Sequence, residues 1–265
     1  MSARRPDRVH LHRMPAAQLL AALPPGSIDL LITDPPYVTV DRRSESGHLR
    51  DWFKDGLTWR EIGLVLAAAR RKMKPTGIAF VMTNGAGLRD ALGALERAGF
   101  ERVRTIAWDR RYPGLGSGLR HQIEFVLVGH LPGSRTLSGV DLVSVAAVGP
   151  GTRDRYPTEK PEGLGLALAR MAGVGPGQLV VDPFCGSGAL LAGAHARGAT
   201  VVGGDVAARA IKRATERLVG RAACPTSPSP TGRSPSLEGH RSPRATGAYR
   251  NSARGPRPPA RKPAR

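Results

Sequence analysis

Only two of the 265 residues are cysteines, Cys185 and Cys224. Two cannot form a disulfide framework, which excludes a small stapled secreted fold and fits a reducing cytoplasm. No uncharged apolar run reaches the ~18 residues that a membrane span needs. The opening residues, MSARRPDRVHLHR, contain no apolar segment of a secretory signal. Secreted and integral-membrane classes are therefore set aside, and the expected location is cytoplasmic. Acidic residues are scarce too: 21 Asp+Glu face 40 Lys+Arg, a formal net charge of +19.

What is present is enough for a core, since 40% of the residues are apolar, and wholesale disorder is excluded. The positive charge is uneven. From Arg221 to Arg265, ten Lys+Arg stand against one acid, Glu238, among nine prolines and six serines. Such a segment cannot bury enough surface to offset its ordering entropy, so 221–265 is expected to be a disordered basic tail. Residues 1–220 keep a net charge of +10, and a polyanionic partner suits both parts. Charge alone does not distinguish that partner from a merely solubilising tail.

The body alternates short apolar runs with longer helical patterns. Strands are expected at Val9–His12, Ile28–Thr33, Ile78–Thr83, Glu101–Trp108, Gln122–Gly129, Leu179–Val181 and Thr200–Gly203. Helices are expected at Trp59–Lys74, Leu88–Ala98, Glu162–Ala172, Ala189–Arg197 and Ala207–Val219. Gln122–Gly129 follows its predecessor with no helix between, so it predicts an antiparallel pairing in an otherwise parallel sheet. The expected fold is α/β: a three-layer sandwich around a mostly parallel sheet of about seven strands.

Two clusters carry chemistry. The first, Asp34-Pro35-Pro36-Tyr37, follows the strand Ile28–Thr33, and in open α/β sheets the carboxyl ends of strands line the ligand crevice. Two prolines fix the backbone and remove two N–H donors, leaving carbonyls free to accept. The Asp34 carboxylate and a neighbouring carbonyl can hold both hydrogens of an NH₂ group, and Tyr37 offers a face for a planar heterocycle. The same residues also suit a plain turn with Tyr37 as a core aromatic.

The second cluster is Asp182-Pro183-Phe184-Cys185-Gly186-Ser187-Gly188, between a strand and a helix. Gly186 and Gly188 let the backbone approach a ligand and open the helix. Seventeen residues after Gly188, Asp205 ends the next strand, where an acidic side chain accepts from ribose hydroxyls in nucleotide-binding α/β folds. Leu191 stands where a third glycine of G-x-G-x-x-G would fall, which speaks against a dinucleotide-dependent dehydrogenase. His121 and His195 lack Cys, His or carboxylate partners at ligand spacing, so no metal site is expected.

Taken together, these clusters resemble the S-adenosylmethionine-dependent amino-methylating DNA methyltransferases, from about Val9 to Val219. Asp34–Tyr37 is similar to their D-P-P-Y tetrapeptide and Asp182–Gly188 to their D-P-F-x-G-S-G cofactor loop. Tyr156-Pro157-Thr158-Glu159-Lys160-Pro161 is similar to H-P-T-x-K-P, and Lys74-Pro75-Thr76-Gly77 to K-P-G-G. The tetrapeptide precedes the cofactor loop, the permuted order of the family's β-type group. RNA guanine methylases with a similar tetrapeptide normally place the cofactor loop first.

The resemblance implies methyl transfer from S-adenosylmethionine to an exocyclic amine of a base flipped out of double-stranded DNA. Asp34 and the Pro35 carbonyl would accept from the amine, Pro36 would fix the turn and Tyr37 would stack on the base. Asp182, Phe184, Gly186, Ser187 and Gly188 would hold the methionine part of the cofactor, Asp205 the ribose, and Thr158 and Lys160 would sit at the cofactor rim. From the residues alone, Lys160 is equally a solvated lysine at a helix start. Cys185 is a wall residue rather than a nucleophile, which separates the chain from cytosine-C5 methylases. Trp108 reads as core. The family's usual acid in the first strand is replaced by Leu11-His12-Arg13, and Ala207-Ala208 replaces Asp-Pro after the ribose-binding acid.

The interval His130–Arg155, where the family carries its recognition region, is too short for an independent domain. Recognition then falls on loops, on a homodimer or partner subunit, or is relaxed. Arg42, Arg43, Arg50 and Lys54 after the tetrapeptide, and Arg110, Arg111 and Arg120, are the candidate DNA-binding residues. Asp at the head of the tetrapeptide favours adenine N6 over cytosine N4. An RNA methylase or a non-catalytic nucleic-acid-binding protein on the same fold are the remaining alternatives.

Overall fold

The computed structural model describes residues 8–37, 56–113, 118–148 and 158–220. Arg42, Arg43, Arg50, Lys54 and the tail 221–265 lie outside the described residues. The chain runs β1 (Val9–Arg13), α1 (Ala16–Ala22), β2 (Ile28–Thr33), α2 (Trp59–Lys72), β3 (Met73–Thr83), α3 (Leu88–Arg97), β4 (Arg102–Asp109), β5 (Ile123–His130) and β6 (Leu142–Ser144). It continues through α4 (Glu162–Met171), β7 (Leu179–Asp182), α5 (Ala189–Ala196), β8 (Thr200–Asp205) and α6 (Ala208–Leu218). The strands form one sheet in the order β1-β8-β7-β2-β3-β5-β4-β6. Every pairing is parallel except those of β5, which runs antiparallel to both β3 and β4. The connection without a helix thus produces the antiparallel strand that the sequence predicts.

The apolar alternation of the strands builds two cores. Leu30, Ile32, Ile78, Phe80, Met82, Val126 and Val128 pack with α4 and α5 on one face. Leu31, Ala79, Val81 and Leu127 pack with α1, α2 and α3 on the other. Three layers result, as strands buried on both faces require. On the first face α4 and α5 cross at backbone distance: a Cβ added at Gly193 would lie 2.0 Å from the Leu166 nitrogen.

Among the described residues the sheet has eight strands rather than about seven. The additional strand, β6, is three residues pairing with β4 at the sheet edge, and Leu142 is exposed. It is too short to show an alternation, which is why sequence patterning misses it. Helix α1 escapes patterning for the same reason, since it spans only two turns. Helix α2 starts where Thr58 and Glu61 form a capping box and ends at Lys72, with Arg70, Arg71 and Lys72 complementing the helix dipole. It does not run to Lys74: β3 already begins at Met73, opposite Ile28, and the next pairing is Ile78 with Leu30. Lys74–Gly77 is thus looped out between two ladder contacts, because Pro75 has no N–H for the ladder.

A charged group lies within the sheet at the start of β2. Asp29 accepts from Lys74 Nζ at 2.8 Å, from the Leu179 N–H at 2.9 Å and from Arg135 Nη2 at 3.3 Å. Burial opposes its charge, but the Lys74 and Leu179 bonds and the two cations outweigh it and hold its carboxyl below the usual range.

Candidate active site

Strands β2 and β7 are neighbours, and the chain leaves them in opposite directions across the sheet, to β3 and to β8. That is the topological switch point at which open α/β sheets bind ligands. Asp34–Tyr37 follows β2 and Asp182–Gly188 continues β7, so two motifs 148 residues apart meet in one crevice. The strands are joined there by a buried bond: Thr33 Oγ1 donates to Asp182 Oδ1 at 2.6 Å. Asp182 Oδ1 also accepts from the Phe184 N–H at 3.0 Å. Burial pushes the Asp182 carboxyl up to about 7, against the lowering by these two bonds.

The loop after β7 folds around its glycines. Gly188 is left-handed at φ 74° where it caps α5, and a Cβ there would meet Ala214 at 3.0 Å. Asp205, at the end of β8, accepts from the Gly186 N–H at 3.1 Å and the Ala207 N–H at 2.8 Å. Burial raises its pKa despite both bonds. From α6, Arg217 Nη1 donates to the Ser187 carbonyl at 2.6 Å and its hydroxyl at 2.7 Å. The same guanidinium bonds Glu162 Oε1 at 2.9 Å and also Glu159. Arg217 therefore ties the loop to the Thr158–Lys160 segment.

Both motifs open into one cavity of about 810 Å³, lined by Asp34–Pro36, Thr158–Lys160, Asp182–Ser187 and Asp205. That volume lies within the range of small-molecule and cofactor sites. Its far end is apolar, formed by Met14–Ala17, Val206 and Ala207, with no carboxylate from β1. Cys185 is buried in the wall; burial and the nearby Asp182 and Asp205 push its thiol pKa far up, so it carries no thiolate. Among the described residues no three His, Cys, Asp or Glu side chains converge as metal ligands would.

Lys160 lines the cavity, and its side chain is only 12% exposed. Its Nζ sits 2.5 Å from Asp34 Oδ2 and 3.6 Å from Glu124 Oε2 on β5. Desolvation opposes the lysine's charge, but Asp34 and Glu124 together drive its pKa upward. Burial raises the pKa of Asp34, Lys160 lowers it and Glu124 raises it again. Arg110 Nη1 lies 3.2 Å from Glu124 Oε1, and its side chain stays partly exposed. Arg111 donates to Ser144 Oγ, and Arg120 is exposed.

Tyr37 is half-buried, and its ring is stacked on Trp59 with centroids 5.3 Å apart and an interplanar angle of 20°. The Pro35 carbonyl accepts from the Tyr37 N–H at 2.8 Å and the Pro36 carbonyl from the Leu57 N–H at 2.7 Å. Trp108 is core, its Nε1 donating to the Val145 carbonyl at 2.8 Å. Sequence reasoning overlooks Glu124, Trp59 and Arg217. A charged residue opening the otherwise apolar run of β5 is a signal for Glu124; nothing local marks the other two.

The fold is the one shared by Rossmann-like methyltransferases. A family model described as RMKL-like, methyltransferase domain, matches residues 151–224. The Type II methyltransferase M2.DpnII of Streptococcus pneumoniae is 24% identical over 231 residues, covering 76% of this chain and 86% of that protein. M2.LlaDCHI of Lactococcus lactis subsp. cremoris is 22% identical with the same coverage. Among solved structures, a Thermus thermophilus protein assigned as a DNA modification methylase, in complex with S-adenosyl-L-methionine, aligns at TM-score 0.56 and 24% identity. The alignment covers 81% of this chain and 96% of that one. The cytosine-N4-specific PvuII DNA methyltransferase aligns at TM-score 0.63 and 17% identity, over 82% of this chain and 90% of its own. In sequence and in fold the chain is thus similar to DNA methyltransferases.

Proposed function

We propose that the protein transfers the methyl group of S-adenosylmethionine to the N6 amino group of an adenine flipped out of duplex DNA. One observation carries this reading: Asp34 and Asp182–Ser187, from adjacent strands, line the same cavity. The residues present suit the cofactor. The loop's glycines let a ligand approach the backbone closely, Asp205 would accept from the ribose hydroxyls, and the apolar end would accept a planar purine. When bound, the cofactor supplies an electrophilic methyl group on a sulfonium.

The protein's part is orientation and electrostatics. Asp34 accepts one amine hydrogen; the Pro35 carbonyl, with one lone pair used by Tyr37, accepts the other. This turns the nitrogen lone pair toward the methyl group. Tyr37, braced by Trp59, provides a stacking face. The aspartate at the head of the tetrapeptide supports adenine over cytosine. Arg42, Arg43, Arg50, Lys54, Arg110, Arg111 and Arg120 would contact phosphates, and the 221–265 tail would add sequence-independent attraction. Removing that tail should weaken DNA binding and flatten its salt dependence while leaving base choice unchanged.

The decisive experiment incubates unmethylated duplex DNA with the cofactor and protein, then digests the DNA to nucleosides for mass spectrometry, with Asp34→Ala as control. N6-methyladenine that vanishes in the variant is expected. N4-methylcytosine would keep the mechanism and overturn the base. Methylation of RNA alone would overturn the substrate, and absence of cofactor binding would leave a non-catalytic nucleic-acid-binding protein.

A further inference from the structure

The ion pair between Lys160 and Asp34 occupies the oxygen that the proposed reaction needs for the amine. Beyond it, Lys160 Nζ is 3.6 Å from Glu124 Oε2, and Glu124 Oε1 is 3.2 Å from Arg110 Nη1. Four charges of alternating sign thus run from the end of β2 through the segment before α4 to β5. The side chains of Lys160, Asp34 and Glu124 are 12%, 23% and 15% exposed, so their attraction is weakly screened. An ammonium at 2.5 Å competes directly with an incoming amine for Asp34 Oδ2. Driving the lysine away without a new partner would strand a buried charge, which is strongly unfavourable. Glu124 removes that cost, because a second carboxylate lies within a side-chain rotation of the first.

We propose that Lys160 is a positioning residue that keeps Asp34 ionised and aimed before the base arrives, and passes to Glu124 when the amino group takes Asp34 Oδ2. The inference rests on the reading of Asp34 as the amine acceptor. The backbone beside Lys160 is held: Arg217 bonds Glu159 and Glu162 from α6, and Pro161 caps α4. Only the side chain has to move. The four charges sum to zero in either arrangement, so the handover takes up and releases no proton.

The groups facing Asp34 are Lys160 before α4, Glu124 on β5, Tyr37 in its own loop and Asp182 on β7. Of these, Lys160 lowers the Asp34 pKa and Glu124 raises it, which predicts pH shifts of opposite sign. The test measures kcat and KM for duplex DNA against pH with the full-length protein, and cofactor affinity separately by calorimetry. Lys160→Met should move the acid limb of kcat upward by about 1–3 pH units, lose at least about tenfold in kcat at neutral pH, and recover at higher pH. Its cofactor affinity should be unchanged, and Lys160→Arg, which keeps the charge, should restore the limb. Glu124→Gln should move the limb downward and raise KM several-fold, because Lys160 then has no second anion.

A Lys160→Met protein with weakened cofactor binding and an unmoved limb would overturn the proposal and return Lys160 to the cofactor rim. Unchanged KM and limb in Glu124→Gln would also overturn it. Should Lys160→Met fail to fold, the Glu124→Gln and Lys160→Arg shifts decide by themselves. Wild-type protein that methylates no DNA would sink the reading of Asp34 and the handover with it, whereas active wild type with unmoved limbs sinks only the handover.

Discussion

Strand β2 has a buried aspartate at its start and a half-buried one just past its end, five residues apart, and their pKa values are shifted in opposite directions. Asp29 accepts from a lysine, an arginine and a backbone N–H, and its pKa is held low. Asp34 accepts from one lysine, faces a second carboxylate and opens on a cavity, and its pKa is raised. Residue type and strand are the same; the number of donors differs. A carboxylate saturated with donors can only hold structure, while one left short of donors is free to accept from a substrate.

The sharpest way to break this contrast is to remove each group. Asp34→Ala should lose methyl transfer by on the order of 10⁴-fold, measured by label incorporation into DNA. Its melting temperature should hold, since Lys160 keeps Glu124 as partner. Asp29→Ala should leave the kcat of the folded protein near wild type but cost about 3 kcal/mol in stability by denaturant titration, because Lys74 and Arg135 lose their shared anion. Loss of activity in Asp29→Ala with stability intact would erase the distinction.

Titration of stability gives the next effect, again with opposite signs. Asp29 has a folded pKa below its unfolded value near about 3.9, so its contribution is present above that value and lost as pH falls through the folded pKa. Asp34 has a folded pKa above that reference, so its contribution is present below it and lost as pH rises through the folded pKa. Consequently Asp29→Asn should flatten the acid side of the stability curve. Asp34→Asn should remove a loss that develops on the less acidic side. Melting curves of both variants from about pH 3 to 8 test this.

Smaller effects are expected away from the pair. Arg217→Met should weaken cofactor binding about tenfold, since Ser187 loses two donors and Glu159 and Glu162 lose a shared cation. Calorimetry with the cofactor alone measures it. Thr58→Ala should cost about 1 kcal/mol by opening the capping box of α2, with activity retained.

Much of the architecture is legible in local spacing. The Ile28–Thr33 strand has its observed bounds, and the other predicted elements lie within a few residues of theirs, apart from β3, which starts five residues early. The edge strand β6 and helix α1 are not legible, being too short to carry a period. Both chemical motifs are visible because proline restricts the backbone and glycine frees it wherever they occur. Glu124 and Arg217 are not, because a charge in a strand or on a helix becomes special only through its neighbours.

By itself, the sequence determined the alternating α/β order, the antiparallel strand and the two motifs at strand ends. These follow from hydrophobic period, chain connectivity and backbone restriction, all of which act between near neighbours. The tertiary structure alone decided which oxygens are occupied and which charges are buried together. Lys160 reaches Asp34 across 126 residues of sequence. The two pair because folding, not spacing, brings them together and removes the water between them.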